Sequence, residues 1–141
     1  MNDLIGRYPI LAACKEEIAA ARSALVACYG AGGKLLLCGN GGSAADCDHI
    51  AGELCKAFLK KRPIPASRRE GMVALCPEVA PLLDRLEDAL PAIPLTAMTA
   101  LLTAYGNDRE AELSFAQATL ALGKPGDVLE EFKQEPVPEG E

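Results

Sequence analysis

The sequence predicts an α/β fold built on a parallel sheet, and three observations point there. A short apolar run, Lys34 to Cys38, leads straight into the glycine-rich turn Gly39-Asn40-Gly41-Gly42. Stretches rich in helix formers lie on both sides of that unit. Short apolar runs return at 92–96 and from 128, each after a helical stretch. A continuous apolar strand is buried on both faces, and the alternation of strand and helix supplies the layers that bury it.

The elements follow in order. Residues 10–29 are rich in Ala, Leu and Glu, with apolar residues at Leu11, Cys14, Ile18, Ala21, Leu25 and Val26, which predicts a helix. Gly30-Ala31-Gly32-Gly33 ends it. The strand 34–38 and its glycine turn come next, then a helix from Ala44 to about Leu59 with Ser43 as its N-cap. Lys60 to Gly71 is basic and broken by Pro63 and Pro65, and 60–80 is expected to be an exposed insertion. Val79 to Leu90 predicts an amphipathic helix that buries Leu82, Leu83, Leu86 and Leu90 and ends at Pro91. A second strand is expected over Ala92–Thr96, with Pro94 suiting an edge. Helices over Thr99–Tyr105 and Glu110–Leu122 lead through the turn Gly123–Asp127 to a third strand that opens at Val128 and Leu129. Residues 130–141 are acidic, carry two prolines and are expected to form a disordered tail.

Composition excludes several classes of function. A chain of 141 residues is one domain by length, and half its residues are hydrophobic. The net charge of −6, with no basic cluster larger than Lys60-Lys61-Arg62, argues against nucleic acid. No apolar run approaches the ~18 residues of a membrane span, and the N-terminus lacks the pattern of a secretory signal. Six cysteines without C-x-x-C spacing predict reduced thiols in a cytoplasmic protein.

The chemistry concentrates between 39 and 53. A glycine turn from strand into helix presents unbonded amides at the positive end of a helix dipole, which suits an anion such as a phosphate. Asn40 and Ser43 add side chains suited to sugar hydroxyls, and glycines let a ligand approach the backbone closely. The turn is neither a Walker loop nor G-x-G-x-x-G, and a tight turn that holds nothing fits the same spacing. His49, the only histidine, and Glu53 stand four apart and share a helix face. They suit two metal ligands, or Glu53 suits a proton-transfer base; a polar pair on a helix surface is the plainer alternative. Asp46 and Asp48 read as solvated helix residues.

The stretch GGKLLL-CGNGGSAADCDHIAGEL, followed by PLTAMTALLTAYGND and FAQATLALGKPGDVL, resembles the phosphoheptose isomerases of the sugar isomerase (SIS) superfamily across most of residues 30–129. The resemblance implies a three-layer α/β/α, flavodoxin-like domain around a parallel sheet, of which 1–129 would be the N-terminal part, cut off after the third strand begins. It implies homotetrameric self-association and a sugar-phosphate substrate, D-sedoheptulose 7-phosphate, interconverted with D-glycero-D-manno-heptose 7-phosphate through an enediol. It also implies zinc. On this resemblance Asn40, Gly41, Gly42 and Ser43 would contact substrate, as would Glu53. His49 and Glu53 would ligate the metal, and Glu53 would also move the proton. Two departures stand out. Ala97-Met98 occupies the place of a substrate-contacting serine–aspartate pair, and EEFKQEPVPEGE replaces the phosphate-gripping S-T-S-G-N-S loop and the later glutamine and histidine. A shortened or frameshifted isomerase, weak or inactive alone, is therefore expected. The alternatives are a non-catalytic SIS-like sugar-phosphate-binding or adaptor module, or a sheet completed by another chain.

Overall fold

The computed structural model describes residues 2–133. Its centre is β1 (Leu35–Gly39), in which every residue is buried. β2 (Ala92–Pro94) and β3 (Val128–Phe132) pair with it on either side, both parallel, giving the order β2-β1-β3. Leu35 registers with Ala92 and with Val128, and Gly39 with Phe132.

Alternation along β1 divides the core in two. Leu35 and Leu37 face one side, where they meet Cys47 and Ala51 of α3 (Gly42–Cys55) and Leu25 and Tyr29 of α2 (Lys15–Gly30). Leu36 and Cys38 face the other side, against Leu101 of α6 (Thr99–Asp108) and Phe115, Ala118 and Leu122 of α7 (Ser114–Leu122). Helices thus cover both faces of a parallel sheet in three layers. The side of α3 that meets the sheet carries Ser43, Cys47 and Ala51, four apart and all small, so the helix seats close against β1.

The start of the sheet is fixed by one carboxylate. Asp127 accepts from the Lys34 amide at 2.9 Å, the Lys34 ammonium at 2.6 Å and the Lys124 amide at 2.8 Å. The Val128 amide returns to the Lys34 carbonyl at 3.1 Å. This joins the residues leading into β1 and β3 across 93 positions of sequence.

Several elements differ from the sequence expectation. Residues 9–14 form a 3-10 turn before α2, and α1 (Asn2–Arg7) precedes it. Ser43 is not the N-cap of α3; Gly41 takes that place, and the helix stops at Cys55, four residues short of Leu59. The expected insertion holds a helix of its own, α4 (Ala66–Leu75). Only α5 (Ala80–Leu83) forms where a helix was expected over Val79–Leu90. Leu83 is buried there, but Leu82 and Leu86 are exposed. β2 stops at Pro94, and Leu95–Ala97 turn out of the sheet. α6 runs on through Gly106-Asn107-Asp108, and a 3-10 turn at Ala111–Leu113 precedes α7. β3 is a full strand reaching Phe132, so 130–132 are not tail; the expected tail over 134–141 lies outside the described residues.

The Asp127 clamp makes acid stability testable. Hydrogen bonds from the Lys34 side chain and then its amide hold the Asp127 carboxyl down from 3.8 to about 2. A depressed carboxylate stabilises the fold above its ordinary pKa, and that contribution disappears as pH falls through the depressed value. Thermal melts of Asp127→Asn should therefore lie below wild type near neutral pH, with the gap closing between about pH 4 and about pH 2. A gap independent of pH would show that the charge on Asp127 contributes nothing.

Candidate functional site

The chain steps from β1 to β2 on one side, then crosses β1 to reach β3 on the other. In sheets of this 2-1-3 order the ligand crevice opens at the carboxyl ends of the strands beside that reversal. The glycine turn occupies that position, between the end of β1 and the start of α3.

Two glycines shape the turn. A Cβ on Gly39 would lie 2.8 Å from the Ser43 Cβ, so only glycine lets α3 fold back this closely onto the end of β1. Gly41 has φ +56°, a backbone region that side chains rarely adopt, while its Cβ direction is open. This conformation sets which amides are spent. The Ser43 amide donates to the Asn40 carbonyl and the Ala44 amide to the Gly41 carbonyl, both at 3.1 Å. The amides of Gly41 and Gly42 donate to no turn or loop acceptor among the described residues, and both residues are exposed, whereas the Asn40 amide stands where the β1–β3 ladder, which pairs Gly39 with Phe132, continues. They stand at the N-terminus of a 14-residue helix, where a negative group is stabilised.

Ser43 is the exception among the expected contacts. It is buried beneath the turn against Gly39, and its part in the site is to seat the helix. His49 is exposed on α3. Glu53, one helical turn further, is half-buried, and its Oε2 atom is buried with no hydrogen-bond partner. A desolvated carboxylate oxygen without a donor is costly unless something binds it. Helical spacing places His49 and Glu53 on one flank of α3. No third His, Cys, Asp or Glu joins them at metal-binding distance among the described residues.

Two features escaped the sequence. Asp48, expected to be simply solvated, accepts from the Thr96 hydroxyl at 3.5 Å, linking α3 to the turn after β2. Lys133 leaves the sheet directly after Phe132, the partner of Gly39 in the sheet, and so lies at the same end of the sheet as the glycine turn. Its ammonium pairs with Glu131 at 3.2 Å. A basic residue just past a strand end has no sequence signature when the strand itself reads as tail. Ala97 is exposed, whereas Met98 packs into the core beneath Leu36 and Cys38, so neither presents a polar group.

The thiols do not belong to the site. All six cysteines are free, and burial pushes the Cys38 and Cys47 thiols up from their ordinary pKa. A hollow of about 360 Å³ lies at the opposite end of the strands, among Gly32, Gly33, Pro91 and Pro125, where the Lys34–Asp127 pair already neutralises itself.

With the turn, the helix and the flanking carboxylate placed, comparison with known proteins shows what the chain is similar to. Residues 9–69 match the family described as the SIS domain. The phosphoheptose isomerase of Maridesulfovibrio salexigens is 42% identical over 98 residues, 70% of this chain and 36% of its own. That of Roseiflexus sp. is 40% identical over 121 residues, covering 86% of this chain and 45% of its own. Over most of its length the chain is similar to phosphoheptose isomerases. Its fold agrees with the solved phosphoheptose isomerase GmhA of Neisseria gonorrhoeae, with a TM-score of 0.51, 31% identity and coverage of 89% of this chain and 59% of that one. The chain spans less than half the length of these curated relatives.

The turn itself is open to test. Gly41→Ala places a side chain in open space, so its cost is conformational, about 1–3 kcal/mol of folding stability. Chemical denaturation measures it, and an unchanged midpoint would mean the left-handed conformation at 41 is not required.

Proposed function

We propose that this chain is the N-terminal part of an SIS-type phosphosugar isomerase acting on D-sedoheptulose 7-phosphate and D-glycero-D-manno-heptose 7-phosphate. The observation that carries the proposal is the pair of exposed amides at 41 and 42, free of turn bonds at the N-terminus of α3. Homology to phosphoheptose isomerases supplies the substrate class.

In this reading the amides of Gly41 and Gly42 receive oxygens of the sugar phosphate, and the Asn40 side chain orients hydroxyls. Aldose–ketose isomerisation moves one proton between adjacent carbons, with an enediol between the two carbonyl forms. Glu53 is the group to carry it: a carboxylate takes the proton from the carbon beside the carbonyl and returns it to the neighbouring carbon. Its partnerless buried oxygen is poised to accept.

Zinc does not fit the described residues. His49 and Glu53 supply two ligands where a zinc site needs about four, counting water, and no third protein ligand stands with them. Zinc therefore enters only with ligands from outside residues 2–133, and no step above is routed through it. The proposal includes self-association, which the exposed Ile10, Val26, Leu120 and Leu129 favour, and a cytoplasmic setting, which six unpaired thiols favour.

The described residues hold one half of a site, so binding should outlast catalysis. Calorimetric titration of sedoheptulose 7-phosphate into the purified chain should give measurable binding, with turnover far below the usual range of about 1–1000 per second. Glu53→Gln should abolish whatever turnover remains. Turnover in the usual range would contradict the half-site, and the absence of binding would remove the isomerase reading in favour of an SIS-like interaction module.

A further inference from the structure

The segment between α3 and β2 is tied back to the last turn of α3, one residue from Glu53. α3 ends at Cys55, so the Leu54 carbonyl lacks the partner that a longer helix would give it. Two donors replace that partner. The Leu90 amide reaches the Leu54 oxygen at 3.0 Å, and the Arg62 Nη2 atom donates to the same oxygen. The Arg62 Nε atom donates to the Asp88 carbonyl at 3.1 Å, while the Asp88 amide donates to the Arg62 carbonyl at 2.7 Å. The Ala57 amide finds the Glu87 carboxylate at 2.8 Å. One half-buried guanidinium therefore bridges the end of α3 and the chain entering β2.

Arginine suits this place for two reasons. Its planar fork donates in two fixed directions at once, which a lysine ammonium on a flexible stem does not reproduce. Its charge also sits at the negative end of the helix dipole. The more exposed pairs of the same segment, Arg68–Asp88 and Arg69–Asp84, contribute little by comparison.

We propose that Arg62 is a positioning residue for Glu53. By pinning the Leu54 carbonyl it fixes the backbone that carries the neighbouring carboxylate, and it couples the whole segment 56–90 to the site. The inference rests on the reading of Glu53 as the working carboxylate. It gives the segment a part that neither its basic composition nor its exposure suggests.

The test uses the full chain with Arg62→Met and Arg62→Lys, each alone and combined with Glu53→Gln. Amide hydrogen exchange reads the backbone directly. Arg62→Met should speed exchange at Glu53–Lys56 by about tenfold or more, the scale of lost hydrogen bonds from a charged donor, while Ala44–Cys47 stay unchanged. Arg62→Lys should not restore protection. Affinity for sedoheptulose 7-phosphate should fall several-fold with Arg62→Met alone and no further when Glu53→Gln is already present. Equal losses in both backgrounds, unchanged exchange, or loss of protection throughout α3 would each overturn the proposal. If the wild-type chain binds no sugar phosphate, the functional reading fails and the exchange data alone decide whether Arg62 pins the helix end.

Discussion

The structure depends on the burial of five consecutive residues, Leu35–Gly39, on both faces at once. A strand in that position needs helices above and below and a hydrogen-bonded neighbour on each edge. Every other feature answers one of those needs. α2 and α3 cover Leu35 and Leu37, α6 and α7 cover Leu36 and Cys38, and β2 and β3 take the two edges. Because β1 is held from all sides, the turn that leaves it is held too, and the amides at 41 and 42 are presented by a rigid base. Preorganisation of this kind lets a few backbone donors act on an anion without first being ordered.

Much of this was legible from sequence where the deciding forces are local. Four apolar residues in a row followed by glycines announce a buried strand and a turn, and the strand forms one residue later than expected, over Leu35–Gly39. The elements misread are those settled by distant contacts. Leu82, Leu83, Leu86 and Leu90 have helical spacing, yet Asp88 and Leu90 bond to Arg62 and Leu54, and that extended pairing stops the helix at Leu83. Glu130 and Glu131 read as tail because acidic residues suit no buried strand. On an edge strand they point to solvent while Val128 and Phe132 pack inward. Ser43 reads as an N-cap, but the left-handed glycine before the helix lets it start two residues earlier, at Gly42, and turns the serine into a packing residue.

The candidate site shows the same division. The glycine turn and the His49–Glu53 spacing were readable because each is a pattern within one element. Asp48 with Thr96, Lys133 at the same end of the sheet as the turn and Arg62 on the Leu54 carbonyl were not, since each depends on two elements meeting. On the proposed reading, the glycine turn is a phosphate-binding turn with Glu53 as the proton-transfer carboxylate on its flank, half of an isomerase site and better suited to binding than to turnover.

Central is the assignment of the amides at 41 and 42 to a sugar phosphate. A two-dimensional ¹H–¹⁵N NMR titration with sedoheptulose 7-phosphate tests it most directly. The account predicts that the largest shift changes fall on Asn40, Gly41 and Gly42, with smaller ones along the first turn of α3. Changes centred instead on the basic segment around Lys60–Arg69, with the glycine amides unmoved, would contradict it.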